Sequence, residues 1–217
     1  MTNNREDYLK TIFKLYEREG KVTNKMIAER MGIAPASVSE MLKKLQKEGM
    51  IIIDKNMVML TDEGIERTKR VLSCHRLWEK FLLEYLDYNW QDVHEQADLL
   101  EHVTSDMLKD KLNAFLAHPK CCPHGSIIYE NWEEPIEKGL YMGDLIKGQK
   151  AVIIRVEDNR ELLGYIDRLK LMLNDEIEVV ERDSFDGSLV ILHNDEKINI
   201  SAKALQHIYV RVIKDEK

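Results

Sequence analysis

A chain of 217 residues is too long for one small module and suits two or three compact units. Its composition is ordinary for a globular protein, with 44% hydrophobic and 33% charged residues. No run approaches the roughly 20 apolar residues of a membrane helix, and the polar segment 1–7 lacks the apolar core of a signal peptide. We therefore expect a cytoplasmic protein with no membrane partner.

The three cysteines, Cys74, Cys121 and Cys122, do not indicate a disulfide framework. Their number is odd and two of them are adjacent in the sequence. Reduced thiols suit a cytosolic protein. Each cysteine is therefore read either as a buried residue or as a metal ligand.

The net charge of −7 argues against nucleic acid binding, but the charge is unevenly distributed. Residues 1–72 carry 14 Lys and Arg against 11 Asp and Glu, a net charge of +3. Residues 73–217 carry 18 against 28, a net charge of −10. A basic head on an acidic body is typical of a DNA-binding domain with an attached sensor.

The first 31 residues predict two helices. Thr23 is a suitable cap for a short helix over 24–31, and Gly32 follows it at the position of a left-handed C-cap. The longer helix before it, over 6–19, ends at Gly20. Its apolar stripe consists of Tyr8, Leu9, Ile12, Phe13 and Tyr16.

A third helix completes a helix-turn-helix. Pro35 lies in its first turn, and Gly49 stops it. Two β-type runs, 50–53 and 57–60, flank a polar turn and predict a hairpin. A helix, a helix-turn-helix and a hairpin, in this order, predict a winged helix.

The next region predicts helices with more apolar surface than one small core needs. Thr61 caps a long helix that runs to about residue 86, a second helix covers about 91–102, and a third follows Ser105. We expect the surplus apolar surface to form a dimer interface. The apolar residues of the region, which together exceed the needs of one core, are Leu77, Trp78, Phe81, Leu82, Leu99, Leu100, Val103, Leu108 and Leu112.

The last third of the chain predicts β-structure after a linker. Proline and glycine interrupt the periodicity over 118–143. Five strands are expected at 151–156, 176–181, 189–192, 198–200 and 208–213, with one helix at about 160–171. Asp186-Gly187 marks a hairpin. Short strands joined by tight turns predict a small SH3-like β-barrel, so the whole chain is mainly α with β.

The outward face of the third helix is the candidate DNA-reading element. Its first residues would meet base edges in the major groove, and its lysines would meet phosphates. The alternative is that these lysines only solvate a surface helix. The winged-helix order favours DNA contact by Ala36, Ser37, Ser39, Lys43, Lys44 and Lys47.

A polar stripe in the second predicted helix of the middle region is the strongest chemical signal. His94, Asp98, Glu101 and His102 are spaced so that they share one face of a helix. The last three of these residues offer two oxygens and one nitrogen to a divalent cation. His75 and Glu79, four residues apart on the preceding helix, offer a second pair. The alternative is a solvated face with charge pairs.

Several segments resemble the diphtheria toxin repressor and manganese transport regulator family. They are Glu6 to Ile12, the helix-turn-helix, Cys74-His75-Arg76-Leu77, the run from His94 to Asp106, and the β-rich C-terminus. The segment Pro119-Lys120-x-Cys122-Pro123-His124-Gly125 is similar to the three-domain, manganese-sensing branch. The resemblance covers essentially the full length of the chain.

The resemblance implies a homodimeric repressor with metal sites between the DNA-binding head and the dimerisation helices. It implies a winged-helix DNA-binding domain over 1–72, a helical dimerisation and metal-binding domain over 73–143, and an SH3-like (FeoA-type) domain over 144–217. A primary site would use Asp7, Asp98, Glu101 and His102. A secondary site would use His75, Glu79, Cys122, His124 and Asp158, and His94 is an additional candidate ligand.

Two departures from the family pattern bear on the metal. The iron-sensing branch has sulfur ligands at the positions of Asp7 and Asp98, where this chain has carboxylates. The two-domain manganese sensors have a glutamate where this chain has Lys10, which argues against a two-metal cluster. We therefore expect Mn²⁺ as the cofactor, with Fe²⁺ or another divalent metal as the alternative.

The prediction is a metal-dependent repressor that binds a palindromic operator as a dimer and represses metal uptake genes. One alternative is a winged-helix regulator that responds to another ligand. A second is a metallohydrolase that uses His75, Glu79, His94 and Asp98. The basic head has no use in an enzyme of that kind, and the sequence has no phosphate loop or nucleophile elbow, so we expect no enzyme activity.

Overall fold

The computed structural model describes residues 3–134 and 139–213. Its first part is a head of three helices and an antiparallel hairpin. The Thr23 hydroxyl accepts a hydrogen bond from the Met26 amide at 3.3 Å, and Gly32 has a left-handed φ of 66°. The elements are α1 (Asn3–Glu19), α2 (Asn24–Met31), α3 (Pro35–Lys47), β1 (Ile51–Asp54) and β2 (Met57–Leu60).

The head has one apolar core to which every element contributes. Leu9 and Ile12 of α1, Ile27 of α2 and Leu45 of α3 are almost fully buried in it. The predicted stripe of α1 is wrong at Tyr16, which is 56% exposed. Residues 16–20 are all exposed, because the last turn of α1 extends beyond the core.

One long helix connects the head to the helical middle region. This helix, α4 (Asp62–Tyr85), is capped by Thr61, whose hydroxyl accepts from the Gly64 amide at 3.1 Å. It passes without a break through residues 72 and 73, where the sequence predicted a domain boundary. It packs closely against α5 (Val93–Glu101), and α6 (Asp106–Phe115) follows.

The C-terminal part is a six-stranded antiparallel sheet in the order β3-β8-β4-β5-β6-β7, which confirms the predicted SH3-like β-domain. The predicted helix over 160–171 ends early, at Arg168, because Lys170 adopts a left-handed φ of 55°. The elements are β3 (Leu140–Tyr141), β4 (Lys150–Val156), α7 (Arg160–Arg168), β5 (Glu176–Arg182), β6 (Leu189–His193), β7 (Glu196–Ile200), α8 (Ala202–Leu205) and β8 (Ile208–Val212).

A tight loop over 119–128 docks on the β-domain. Within the loop, the Cys122 amide donates to the Ser126 carbonyl at 2.9 Å. The Val156 amide, at the end of β4, donates to the His124 carbonyl at 3.0 Å. Gly125 lies against β4 so closely that a Cβ atom there would be 2.1 Å from the Ile154 carbonyl oxygen. This contact fixes the loop against the β-domain.

We predict that Gly125→Ala destabilises the chain more than Gly148→Ala. Both glycines have a left-handed φ, 83° and 81°, so both substitutions incur a backbone cost of about 1–2 kcal/mol. Only Gly125 also faces a backbone atom, whereas Gly148 has no such neighbour within 4 Å. Urea unfolding of the full-length chain in chelator should show the larger drop in midpoint for Gly125→Ala. Equal drops would mean that the loop does not press on β4.

Candidate metal centre

Candidate metal-ligand side chains gather where the head, the helical region and the β-domain meet. They come from α1, α4, α5 with its C-cap, the 119–128 loop, and Asp158, which lies two residues after the end of β4. In the described part of the chain they form three groups, and within each group the candidate ligand atoms lie within 4.8 Å of one another. The groups are Asp7, Asp98, Glu101 and His102; His75, Glu79 and His94; and Glu79, Cys122, His124 and Asp158.

The first group, called here the first cluster, is Asp7, Asp98, Glu101 and His102. Asp7 comes from the head, and the other three come from α5 and its C-cap. The spacing of three and four residues places the α5 side chains on one helical face, as the sequence predicted. His102 Nε2 is 3.2 Å from Asp7 Oδ1 and 3.3 Å from Glu101 Oε1. One imidazole nitrogen thus faces carboxylates from two parts of the chain.

The ammonium group of Lys10 lies among the carboxylates of the first cluster. Its Nζ is 2.9 Å from Asp98 Oδ1 and 3.1 Å from Asp7 Oδ1, and it also contacts Glu101. Burial alone would lower the pKa of Lys10, but Glu101 and Asp98 raise it above its usual value. Burial alone would raise the pKa of Glu101, but His75 and Lys10 lower it. The carboxylates therefore already stabilise positive charge between them.

Glu79 is the centre of the other two groups. Its side chain is fully buried, and its Oε1 is 3.1 Å from His75 Nε2, 3.3 Å from His94 Nδ1 and 3.2 Å from His124 Nδ1. Burial alone would raise the pKa of Glu79, but the neighbouring histidines hold it well below its usual value. Three imidazoles therefore converge on one carboxylate that remains charged.

The third group, called here the second cluster, is Glu79, Cys122, His124 and Asp158. His124 Nδ1 is 3.0 Å from Asp158 Oδ1, and its Nε2 is 2.9 Å from the Trp90 carbonyl oxygen. One further buried atom of the group, Glu79 Oε2, has no hydrogen-bond partner among the described residues, whereas His124 Nδ1 and Asp158 Oδ1 face each other as an ion pair. Buried polar atoms without partners are costly and rare. A coordinated cation would satisfy the free oxygen of Glu79.

The chemistry of the second cluster fits a divalent metal. Carboxylate, imidazole and thiolate donors are all ligands of divalent first-row metals. Burial and the Glu79 carboxylate raise the pKa of Cys122 to about 12, so without a cation its thiol stays protonated. A metal ion would supply the positive charge that a thiolate needs at this buried position.

His75 joins the two clusters rather than belonging only to the secondary set, where the resemblance put it. Its Nδ1 is 2.6 Å from Glu101 Oε2 in the first cluster, and its Nε2 is 3.1 Å from Glu79 Oε1 in the second. Burial alone would lower the pKa of His75, but Glu79 and Glu101 raise it to about 9. A protonated His75 therefore balances two buried carboxylates.

The sequence prediction missed Glu6. This carboxylate is 5% exposed and contacts His102 from the side opposite to the first cluster. Its local signal was weak, because an acidic residue in the first turns of a helix is common for electrostatic reasons alone. Only the fold shows that it faces inward.

The predicted DNA-reading residues all lie on the exposed face of α3. Ser39 differs from the others because its hydroxyl is already engaged. It donates to the Pro35 carbonyl at 3.0 Å and accepts from Asn24 Nδ2 at 2.8 Å. The other five, Ala36, Ser37, Lys43, Lys44 and Lys47, show no such side-chain bond among the described residues.

None of the helices within residues 3–134 and 139–213 combines the length and the apolar character that crossing a bilayer requires.

Three family models match successive parts of the chain. Residues 1–57 match the iron dependent repressor N-terminal DNA binding domain, and residues 61–130 match the iron dependent repressor metal binding and dimerisation domain. Residues 141–212 match the FeoA domain. Their order agrees with the head, the helical region and the β-domain.

Solved structures resemble the chain over nearly its whole length. The manganese regulator SloR is 36% identical, with a TM-score of 0.82 and coverage of 98% of this chain and 100% of that one. A manganese-dependent transcriptional repressor in complex with manganese is 30% identical, with a TM-score of 0.88 and coverage of 96% and 100%.

Curated relatives include members of the same family, but the similarity to this chain covers very different shares of their lengths. The diphtheria toxin repressor of Corynebacterium glutamicum is 27% identical over 208 residues, which are 90% of each chain. The matched region spans 54% of the iron-dependent repressor IdeR of Mycobacterium tuberculosis and 18% of a probable metal transport system membrane protein of Chlamydia trachomatis. Together, the three domains in their order and the full-length similarity show that the chain belongs to the diphtheria toxin repressor family, whose members are metal-dependent, DNA-binding transcriptional repressors and not enzymes.

Proposed function

We propose that this protein is a cytoplasmic, homodimeric repressor that binds a palindromic operator when Mn²⁺ occupies the clusters, and that it represses metal uptake genes. The observation that carries this proposal is the position of the ligands. Asp7 belongs to the head, Asp98 to the helical region and Asp158 to the β-domain. Ions held at these clusters would connect all three parts of the chain.

The first cluster would control the position of the head. Asp7 is its one ligand from α1, while Asp98, Glu101 and His102 belong to α5 and its C-cap. A bound cation supplies positive charge that neutralises the converging carboxylates. The α1 helix is then held against α5, which fixes the head on the helical region. Metal binding would thereby raise the population of the conformation that fits the operator.

The second cluster would fix the β-domain and the 119–128 loop to α4. Glu79 comes from α4, Cys122 and His124 from the loop, and Asp158 from beyond β4. The buried Glu79 Oε2, which has no hydrogen-bond partner, supports metal binding here more directly than any sequence pattern does. We assign His75 to the link between the clusters, and His94 to an additional ligand position beside Glu79.

Exposed apolar side chains support a dimer. Leu99 and Val103 are 66% and 73% exposed, and Met107 and Phe115 on α6 are 75% and 58% exposed. Exposed large apolar side chains on α5, on α6 and between them favour a protein interface in this region. A two-fold dimer would place two α3 helices on successive half-sites of a palindrome.

The donor set of the first cluster favours manganese. Three carboxylates and one imidazole suit a hard ion with a preference for oxygen ligands, and no thiol or thioether is present in this cluster. The similar solved structures include a manganese regulator and a manganese-dependent repressor in complex with manganese. Fe²⁺ is the nearest competitor, because the family models are those of iron dependent repressors.

We predict that Asp98→Ala removes Mn²⁺-dependent operator binding and leaves the fold intact, and that His102→Ala, at a side chain that is 5% exposed, removes the binding and also lowers stability. Asp98 is half-exposed, so its removal creates no cavity, and loss of a ligand should weaken Mn²⁺ binding by about 100-fold or more. The measurement is fluorescence anisotropy with a duplex selected from a random pool by the manganese-loaded protein. Asp110→Ala, which removes an exposed carboxylate outside the clusters, is the matched control. Wild-type operator affinity that is the same in chelator would contradict metal sensing itself.

We predict that Lys43→Ala and Lys44→Ala each weaken binding to all DNA sequences alike. Both lysines are exposed on α3, and removing one lysine–phosphate interaction should lower the slope of log affinity against log salt by about one unit. Lys203→Ala, on the exposed surface of α8, is the control and should change neither quantity. If affinity and slope are unchanged in both α3 variants, α3 does not touch the DNA backbone.

We predict that Asp7→Met combined with Asp98→Cys shifts activation from Mn²⁺ toward Fe²⁺ and later metals. The substitutions replace two hard oxygen donors with soft sulfur donors in the first cluster. Operator binding in anaerobic, metal-buffered solutions of each ion gives the activation ranking. A double variant that keeps the wild-type ranking would show that these residues do not select the metal.

A further inference from the structure

Three successive residues just before α5 contact the β-domain. Trp90 is partly buried and packs against the core of the β-domain. Gln91 lies beside Gly164 of α7, where an added Cβ atom would be 2.7 Å from Gln91 Oε1. Asp92 forms an ion pair with Arg160 at 3.0 Å. The start of α5 therefore rests on the β-domain through apolar packing, close approach and charge.

Trp90 also joins the start of α5 to the 119–128 loop. Its indole Nε1 donates to the Pro123 carbonyl at 3.1 Å, and its own carbonyl oxygen is 2.9 Å from His124 Nε2. The centroids of the indole and the His124 ring are 5.3 Å apart. Trp90 thus contacts both the loop and the β-domain, the parts of the chain that bring His124 and Asp158 to the second cluster.

The connection from Trp90 to the first cluster is short and stiff. The Asn89 carbonyl accepts a hydrogen bond from the Val93 amide at 3.3 Å, so Trp90 lies inside the turn that starts α5. From Val93 the helix continues without a break to Glu101, a distance of about 12 Å. A displacement of Trp90 would therefore be transmitted along α5 to Asp98 and Glu101.

We propose that Trp90 is a positioning residue for the first cluster: it anchors the start of α5 in the β-domain, so that the β-domain helps to hold Asp98 and Glu101 in place. Among the described residues, no candidate ligand of this cluster belongs to the β-domain. The support passes through a helix and not through a metal–ligand bond. Ligands that are held in place lose less freedom when an ion binds, which tightens binding. The metal role of the cluster rests on the proposed function, but the anchoring of α5 does not.

The first test is amide hydrogen exchange of the full-length protein in chelator. Trp90→Leu should speed exchange in α5 more than in α6, which lies outside the anchor. Trp90→Phe keeps a ring in the β-domain core and should retain most of the protection. The control is Trp132→Leu, which removes a partly buried tryptophan beside Lys120 and should leave α5 unchanged. Unchanged exchange in α5, or equal acceleration in α5 and α6, would overturn the anchor.

The second test is Mn²⁺ affinity, measured by electron paramagnetic resonance of the free ion. The binding lost in Asp98→Ala identifies the first cluster, and Trp90→Leu should weaken it about 2- to 30-fold. Because Trp90 also contacts the loop of His124, the comparison is repeated with Asp158→Asn, which lacks one carboxylate of the second cluster. The same loss should persist there. Its disappearance would show that Trp90 acts only through the second cluster and would overturn the proposal.

Arg160 provides an independent variant if Trp90→Leu does not fold. Its guanidinium also lies 3.6 Å from Glu95 of α5, and its side chain is 62% exposed. Arg160→Glu turns two attractions at the start of α5 into repulsions and should speed exchange in α5 and weaken the first cluster about 2- to 5-fold. Lys203→Glu, on the exposed surface of α8, is the matched charge reversal and should change neither. Wild-type values in Arg160→Glu would contradict the proposal.

The results separate this inference from the proposed function. A wild type whose α5 exchange depends on Trp90, but which binds no Mn²⁺ at the first cluster, would overturn the proposed function and leave the anchoring of α5 supported. Faster exchange in α5 with wild-type Mn²⁺ affinity in Trp90→Leu would overturn the positioning role of Trp90.

Discussion

The architecture depends on two carboxylates buried where three parts of the chain meet. Glu79 and Glu101 have almost no solvent contact, and a buried charge without a partner is strongly unfavourable. His75 lies between them, with Nε2 3.1 Å from Glu79 and Nδ1 2.6 Å from Glu101. The need to balance this negative charge brings lysine, histidine and, by our proposal, metal ions to the same place.

The same charge balance explains how separate domains would act as one sensor. The first cluster includes a residue of the head, and the second includes a residue of the β-domain. His75 contacts both clusters. Lys10, from the head, already occupies the space between the carboxylates of the first cluster with its ammonium group. A divalent cation at that position would displace this ammonium group and bring more positive charge to the carboxylates, Asp7 included. Head position and metal occupancy would then be thermodynamically linked.

The sequence predicted those features that depend on local spacing. Caps such as Thr23, the periodicity of α3 and the shared face of Asp98 and Glu101 all follow from residues within a few positions of one another. It did not predict that Lys10 enters the first cluster or that Glu6 lies behind His102, because these contacts join residues 88 to 96 positions apart. The two-residue strand β3 and the short helix α8 were also missed, since so few residues carry no periodicity. The ligand assignments themselves remain predictions.

The most direct test of metal sensing, at the junction where the head, the helical region and the β-domain meet, uses the linkage between metal binding and DNA binding. If Mn²⁺ tightens operator binding by some factor, operator DNA must tighten Mn²⁺ binding by the same factor. Mn²⁺ would be titrated by calorimetry into the full-length protein, alone and saturated with the selected operator duplex, and operator affinity would be measured with and without Mn²⁺. Metal sensing at the junction predicts higher Mn²⁺ affinity on the operator, by the factor seen in the DNA measurement. Equal Mn²⁺ affinity with and without operator DNA would contradict it.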